Sequence, residues 1–312
     1  MSHNPTGAPS AHRTGVAVRR RSATRWPRRL FVLPAALFLA IFAVVPLIQL
    51  VRIATSDVTV TTLVRGDWEF VGIQNFINVV TDPGFAAILS NTVLFVGIVS
   101  VVGLLGGLTS AIALMRSGAW SGFVLAVLVF VWALPPVVNG SVWKFLLGSS
   151  GLFNSALLNS GLAADPIPFL YDDRFALISV AMVNAWAVVP FNTLVFRAAM
   201  IGIPIEQFEA ARIDGARRWQ EIWYIVLPSV RPTALVLAVL TIVYGFRSFD
   251  YIYVMTFGGP GVATTTLPFS GYVQAFTRLD FGKGAATALL VVFMVLVLAI
   301  VYARSVRKEE TQ

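Results

Sequence analysis

Apolar residues in this chain gather into six long runs, with neither the strict alternation of a half-buried strand nor the short stripes of a soluble amphipathic helix. Windows of about 20 largely apolar residues, enough α-helix to cross a hydrocarbon layer of ~30 Å, occupy 31–51, 91–115, 121–147, 175–199, 233–257 and 285–304. The pattern predicts an all-α polytopic membrane protein with six transmembrane helices over residues 30–305. Pro135-Pro136, Pro190 and Gly245 interrupt the third, fourth and fifth runs. Breaks at membrane depth persist only where neighbouring helices or a wet cavity satisfy the freed backbone groups, so they point to a pathway through the bundle.

Between the runs lie stretches of a different character. Residues 1–29, rich in Ser, Thr, Pro, Gly and Arg without apolar period, read as a disordered basic tail, and 306–312 as a short C-terminal one. The first run exceeds the usual core of a signal peptide and no small-x-small site closes it, so an uncleaved anchor is expected. Loops 52–90, with Asp57, Asp67, Glu69 and Asp82, and 148–174, with Asp172-Asp173, are too long for simple connections and read as docking surfaces.

Composition agrees with the pattern: 57% hydrophobic residues, 12% charged residues and a mean hydropathy of +0.79 exclude an ordinary soluble domain. Charge adds an orientation. Arg13, Arg19, Arg20, Arg21, Arg25, Arg28 and Arg29 precede the first run, which places the N-terminus in the cytoplasm. Six spans then put the 116–120 turn, the 200–232 loop and the C-terminus on the same side, with Arg116, Arg212, Arg217, Arg218, Arg231, Arg307 and Lys308. The opposite loops hold only Arg52, Arg65, Arg174, Arg278 and Lys283. This asymmetry accounts for most of the net charge of +8, and nucleic-acid binding by the tail is set aside in its favour.

Candidate chemistry is sparse. There is no cysteine, and the two histidines, His3 and His12, lie in the tail, which removes disulfides, thiolate metal sites and most Ser-His catalysis. Lys144, Lys283 and Lys308 are followed by Phe, Gly and Glu, so no phosphate-cradling G-x-x-x-x-G-K-[ST] loop exists, and any ATP or Mg must be held by a partner. An intramembrane transferase would need a constellation that Asp172, Asp173 and Asp280 do not form. Channel-like rings of charge are also absent from the sequence.

One polar stretch is unusually ordered: "EAARIDGARRWQEIWYIVLP", Glu209 to Pro228. Pro204 suits the first turn of a helix, Glu206 and Glu209 favour its N-terminal end, and Ala210 and Ala211 leave a thin surface. Asp214-Gly215 turns the chain. Trp219, Ile222, Trp223 and Val226 then form an i, i+3, i+4, i+7 stripe closed by Pro228 and Pro232. Over 203–228 this predicts a helical bracket, which by its residues alone fits equally an amphipathic element on lipid or a protein-docking element.

The spacing E-A-A, three residues, G, nine residues, I-x-L-P is met by Glu209, Ala210, Ala211, Gly215, Ile225, Leu227 and Pro228. It resembles the cytoplasmic loop of binding-protein-dependent ABC importer permeases, which docks as a coupling helix into an ATPase groove. The resemblance gives Glu209, Ala210, Ala211, Asp214 and Gly215 that role and implies the type I importer permease fold. "GLFNSALLNSGL", "FLYDDRFAL", "FDYIYVMTFGGP" and "FGKGAATALLVV" are similar to the carbohydrate permeases of the maltose or glycerol-3-phosphate type. That similarity implies a bacterial cytoplasmic membrane, a second and different permease subunit, two ATP-binding subunits and an extracytoplasmic solute-binding protein.

A sugar path needs hydroxyls, amides and rings facing the bundle interior. Thr241, Tyr244, Gly245 and Ser248 fall on one face of the fifth run, Asn184, Val188 and Phe191 form a stripe around Pro190, and Trp132 and Asn139 flank the Pro-Pro break. Alignment on the family's landmarks puts all of these except Asn139 on its sugar-contacting positions. Simple interhelical hydrogen bonds for Asn139 and Ser248, and plain packing for Trp132 and Phe191, are the competing readings. Arg247 and Asp250 are expected to form an i, i+3 ion pair, and Lys144 to snorkel. With only Arg247 as a cation, a neutral mono- or disaccharide is preferred over glycerol-3-phosphate.

Overall fold

The computed structural model describes residues 28–115 and 118–309, so the basic tail lies almost wholly outside the described residues, together with Arg116. Contacts divide the chain into two units, 1–48 and 49–312. Helix α1, Arg28–Ala54, makes up the described part of the first unit and continues into the second. The second unit holds all other elements.

Its centre is the pair α4, Phe85–Ala113, and α8, Ala176–Ile201. Inside a bilayer no hydrophobic drive pushes helices together, so small residues that let backbones approach set the contact. Gly103, Gly106 and Gly107 of α4 supply that surface: a Cβ at Gly106 would stand 2.7 Å from Val189 Cγ2, and one at Gly107 would overlap Asn192. Pro190 does not interrupt α8, contrary to the expected break, and the helix continues through it for 26 residues.

The third span is broken as expected. Helices α5, Ala119–Ala133, and α6, Pro136–Leu146, meet at 102°. Leu134 and Pro135 are extended (ψ 133° and 137°), as residues before proline prefer, and Pro136 takes the first helical position, where its missing N–H costs nothing.

The fifth span departs from its expected window. A continuous helical run extends from Arg218 to Arg247 as α10, Arg218–Glu221, a π-helical turn, Ile222–Val226, and α11, Leu227–Arg247. The amphipathic stripe is thus the first part of the span, and Pro228 does not close it. A proline within a helix removes one donor and crowds the carbonyl four residues back; the wider π turn immediately before Pro228 relieves that crowding. Helix ends at Arg247 instead of weakening at Gly245, and 250–255 forms a separate helix, α12, Asp250–Met255.

The long loops are also ordered. Residues 52–90 contain the antiparallel strands β1, Ser56–Asp57, and β2, Glu69–Phe70, with α2, Val60–Arg65, and α3, Gln74–Val80. Buried Asn75 donates to the carbonyls of Ala54 and Ser56 at 3.0 and 2.9 Å, fastening α3 beneath the hairpin. In 148–174, α7, Leu152–Asn159, is held by Asn154, which donates to Gly148 and Ile167 carbonyls and accepts from the Ile167 N–H at 2.8 Å. Helices α13, Leu267–Tyr272, and α14, Phe281–Glu309, complete the unit, with α3 packed on α14. Among the described residues, five helices are long and apolar enough to span a membrane, and the bent α5–α6 pair makes a sixth.

Candidate functional site

The bracket begins with α9, Ile205–Ile213, for which Pro204 is the residue before the first turn. It ends in a hydrogen-bonded cap: the Gly215 N–H donates to Arg212 O at 3.1 Å and the Ala216 N–H to Ala211 O at 2.9 Å. That double closure requires a left-handed residue, supplied by Gly215 at φ +80°. Arg217 is extended, and its N–H donates to Gln220 Oε1 at 2.7 Å to start α10.

Two further contacts, neither legible as a motif, set the bracket's rigidity. Arg212 Nε donates to Glu221 Oε1 at 2.8 Å, joining the two arms. The hydrogen bond and charge of Glu221 raise the Arg212 guanidinium pKa above its ordinary value. Phe208 is buried among Ala111, Phe196, Met200, Val226, Val230 and Leu237, so α9 is plugged into the ends of α4, α8 and α11. Glu209, Ala210, Asp214 and Gly215 are exposed and Ala211 is half-buried, leaving this face of the bracket open.

A cavity of about 500 Å³ lies among α5, α6, α8, α11 and α12. Six of the nine expected pathway residues border it: Trp132, Asn139, Val188, Phe191, Thr241 and Tyr244. Trp132 and Phe191 stack with centroids 5.9 Å apart. Asn139 Nδ2 donates to the Tyr251 hydroxyl at 3.3 Å, and Asn192 Nδ2 to Thr241 Oγ1 at 3.3 Å. Rings, hydroxyls and an amide are therefore all present.

The other three lie elsewhere. Because α11 stops at Arg247, Ser248 is extended (ψ 113°) and leaves the helical face of Thr241, where its hydroxyl accepts from buried Asn184. Gly245 faces Val96 of α4, where an added Cβ would stand 3.4 Å from Val96 Cγ1. In their place the structure brings Arg247 and Tyr251 to the cavity. No ion pair joins Arg247 to Asp250 among the described residues, because the helix break between them removes the i, i+3 spacing. Lys144 Nζ donates to the Val254 carbonyl at 2.9 Å and ties α6 to α12.

Comparison with known proteins sets this geometry in context. Residues 103–310 match the family described as the binding-protein-dependent transport system inner membrane component. A probable ABC transporter permease protein of Pyrococcus horikoshii is 32% identical over 88% of this chain and 93% of its own length. An sn-glycerol-3-phosphate transport system permease protein of Agrobacterium fabrum is 34% identical over 77% and 81%. A trehalose/maltose transport system permease protein of Thermococcus litoralis is 30% identical over 88% and 91%. The crystal structure of a bacterial ABC transporter that imports the acidic polysaccharide alginate superposes with a TM-score of 0.76 at 22% identity, covering 91% of this chain and 96% of the other, and shows the same fold.

Proposed function

This chain belongs to the family of binding-protein-dependent transport system inner membrane components, and on that premise we propose that it moves a sugar across the bacterial cytoplasmic membrane by alternating access, driven by partner ATPases. Family membership makes the chain a multi-pass transport subunit, not an enzyme. The proposed assembly contains a second permease subunit, two ATP-binding subunits that hold ATP and Mg, and a solute-binding protein delivering the sugar from outside.

The observation that carries this reading is the bracket: a capped, cross-linked helix pair whose polar face is open while Phe208 is fixed in the bundle. Such a part passes displacement from one protein to another, because force travels through packed contacts and not through a slack loop. Closure of the ATPase dimer would move the grooves gripping Glu209, Ala210, Ala211, Asp214 and Gly215, and the attached helices would turn as rigid bodies to open the cavity outward. Hydrolysis resets it. Within the cavity, stacked Trp132 and Phe191 offer apolar faces to sugar C–H groups, while Asn139, Thr241 and Tyr244 exchange hydrogen bonds for lost hydration.

Glu209→Lys and Gly215→Leu are expected to abolish sugar uptake and weaken co-purification of the ATPase without altering membrane insertion; normal uptake by both would overturn the reading. A second reading is favoured by Arg247, the one charged residue bordering the cavity and without a carboxylate partner among the described residues. It suits a solute carrying a phosphate, as in glycerol-3-phosphate.

A further inference from the structure

A different cavity, of about 910 Å³, lies behind the bracket, between the C-terminal end of α4 and the two arms. Its wall is largely apolar, with Ile112 from α4, Met115 just beyond that helix, Ile205 from α9, and Ile222 and Val226 from the π turn. Its remaining wall is ionic: Arg212, Arg218 and Glu221. Glu221 is engaged by Arg212, on which Glu209 also acts, whereas Arg218 is exposed and has no carboxylate within pairing distance among the described residues, so the lining residues carry one net positive charge, centred on Arg218.

Depth identifies the surroundings. The helical run from Arg218 to Arg247 has 30 residues and is thus about 45 Å long. Hydrocarbon takes ~30 Å of that length, so each end emerges at headgroup level. At the bracket end, the exposed aromatic residues are Trp219, Trp223 and Tyr224, rings that favour the membrane interface. The cavity shares this depth, since Arg218, Glu221 and Ile222 are interleaved with those rings along the same turns.

We propose that this cavity seats an anionic phospholipid, its phosphate between Arg218 and the free edge of Arg212 and the start of an acyl chain against Ile112, Met115, Ile222 and Val226. The apolar part of the wall suits an acyl chain, and an anionic headgroup gains an attraction to Arg218 that a zwitterionic one lacks. Because the seat is walled by both arms of the bracket and by α4, its occupant braces the bracket against the bundle. The proposal requires only that the chain spans a bilayer, so it stands or falls separately from ATPase coupling.

The test is native mass spectrometry of the full-length protein, extracted with whatever partners accompany it, after exchange into mixed phosphatidylglycerol and phosphatidylcholine. Wild type is expected to retain phosphatidylglycerol preferentially. Arg218→Ala should lower that preference about five-fold, the worth of one basic residue near anionic lipid, and Arg218→Lys should keep most of it. Equal retention of the two lipids, or a preference indifferent to Arg218→Ala, overturns the proposal. So does loss of the bound lipid whenever ATPase subunits are attached, which would assign the cavity to the partner protein. Failure of any ATPase to co-purify would count against the transport mechanism and leave the lipid measurement intact.

Discussion

At the scale of single residues, burial and reach outweigh residue type. Ser248 and Thr241 are both hydroxyls at helical spacing in the sequence, yet Thr241 borders the cavity and Ser248 holds Asn184. Arg247 is the converse case, a charge expected to be neutralised by Asp250 and found at the cavity wall without it. Arg247→Gln therefore separates the two solute classes in uptake assays with purified importer. A phosphate-bearing solute should lose roughly 10- to 100-fold in uptake, since a charge-assisted hydrogen bond contributes about 1.5–3 kcal/mol. A neutral sugar should change little. Expression and membrane content should stay constant in both assays.

At the scale of elements, the bracket divides into a gripping surface and a transmitting root. Its cap was visible in the sequence because Asp214-Gly215 acts on its immediate neighbours, and the structure shows the corresponding hydrogen bonds. Its root was not, because the partners of Phe208 come from 111 to 237 in the chain. Phe208→Ala should cost roughly 3–5 kcal/mol of packing where α9 enters the bundle. The expected result is an ATPase that still co-purifies and still hydrolyses ATP while uptake falls sharply, the opposite of the docking failure expected for Glu209→Lys. Equal uptake by Phe208→Ala and wild type would mean that α9 transmits through another contact.

At the scale of the whole molecule, the order of spans predicts sidedness. Exposed Leu162, after α7, and exposed Ile213, at the tip of the bracket, are separated by a single span, α8. The chain has no cysteine, so single replacements can be labelled without background. In intact cells an impermeant maleimide should label Leu162→Cys and not Ile213→Cys, and in inverted vesicles the pattern should reverse. Labelling of Ile213→Cys in intact cells would place the bracket outside and remove it from reach of ATP.

What could be read from the sequence was whatever depends on near neighbours in the chain: apolar runs long enough for hydrocarbon, the Pro135-Pro136 corner, and the glycine that closes α9. Hydration and backbone sterics act over a few residues, so these features survive without knowledge of the rest. Tertiary structure alone decided which side chains share a cavity. The close approach of α4 and α8 at Gly103, Gly106 and Gly107, the contact of Gly245 with Val96, and the stop of α11 at Arg247 together rotate Asn184, Gly245 and Ser248 away and bring Arg247 and Tyr251 in. Such rotations are settled by packing between residues up to about a hundred and fifty positions apart, and no local pattern carries that information.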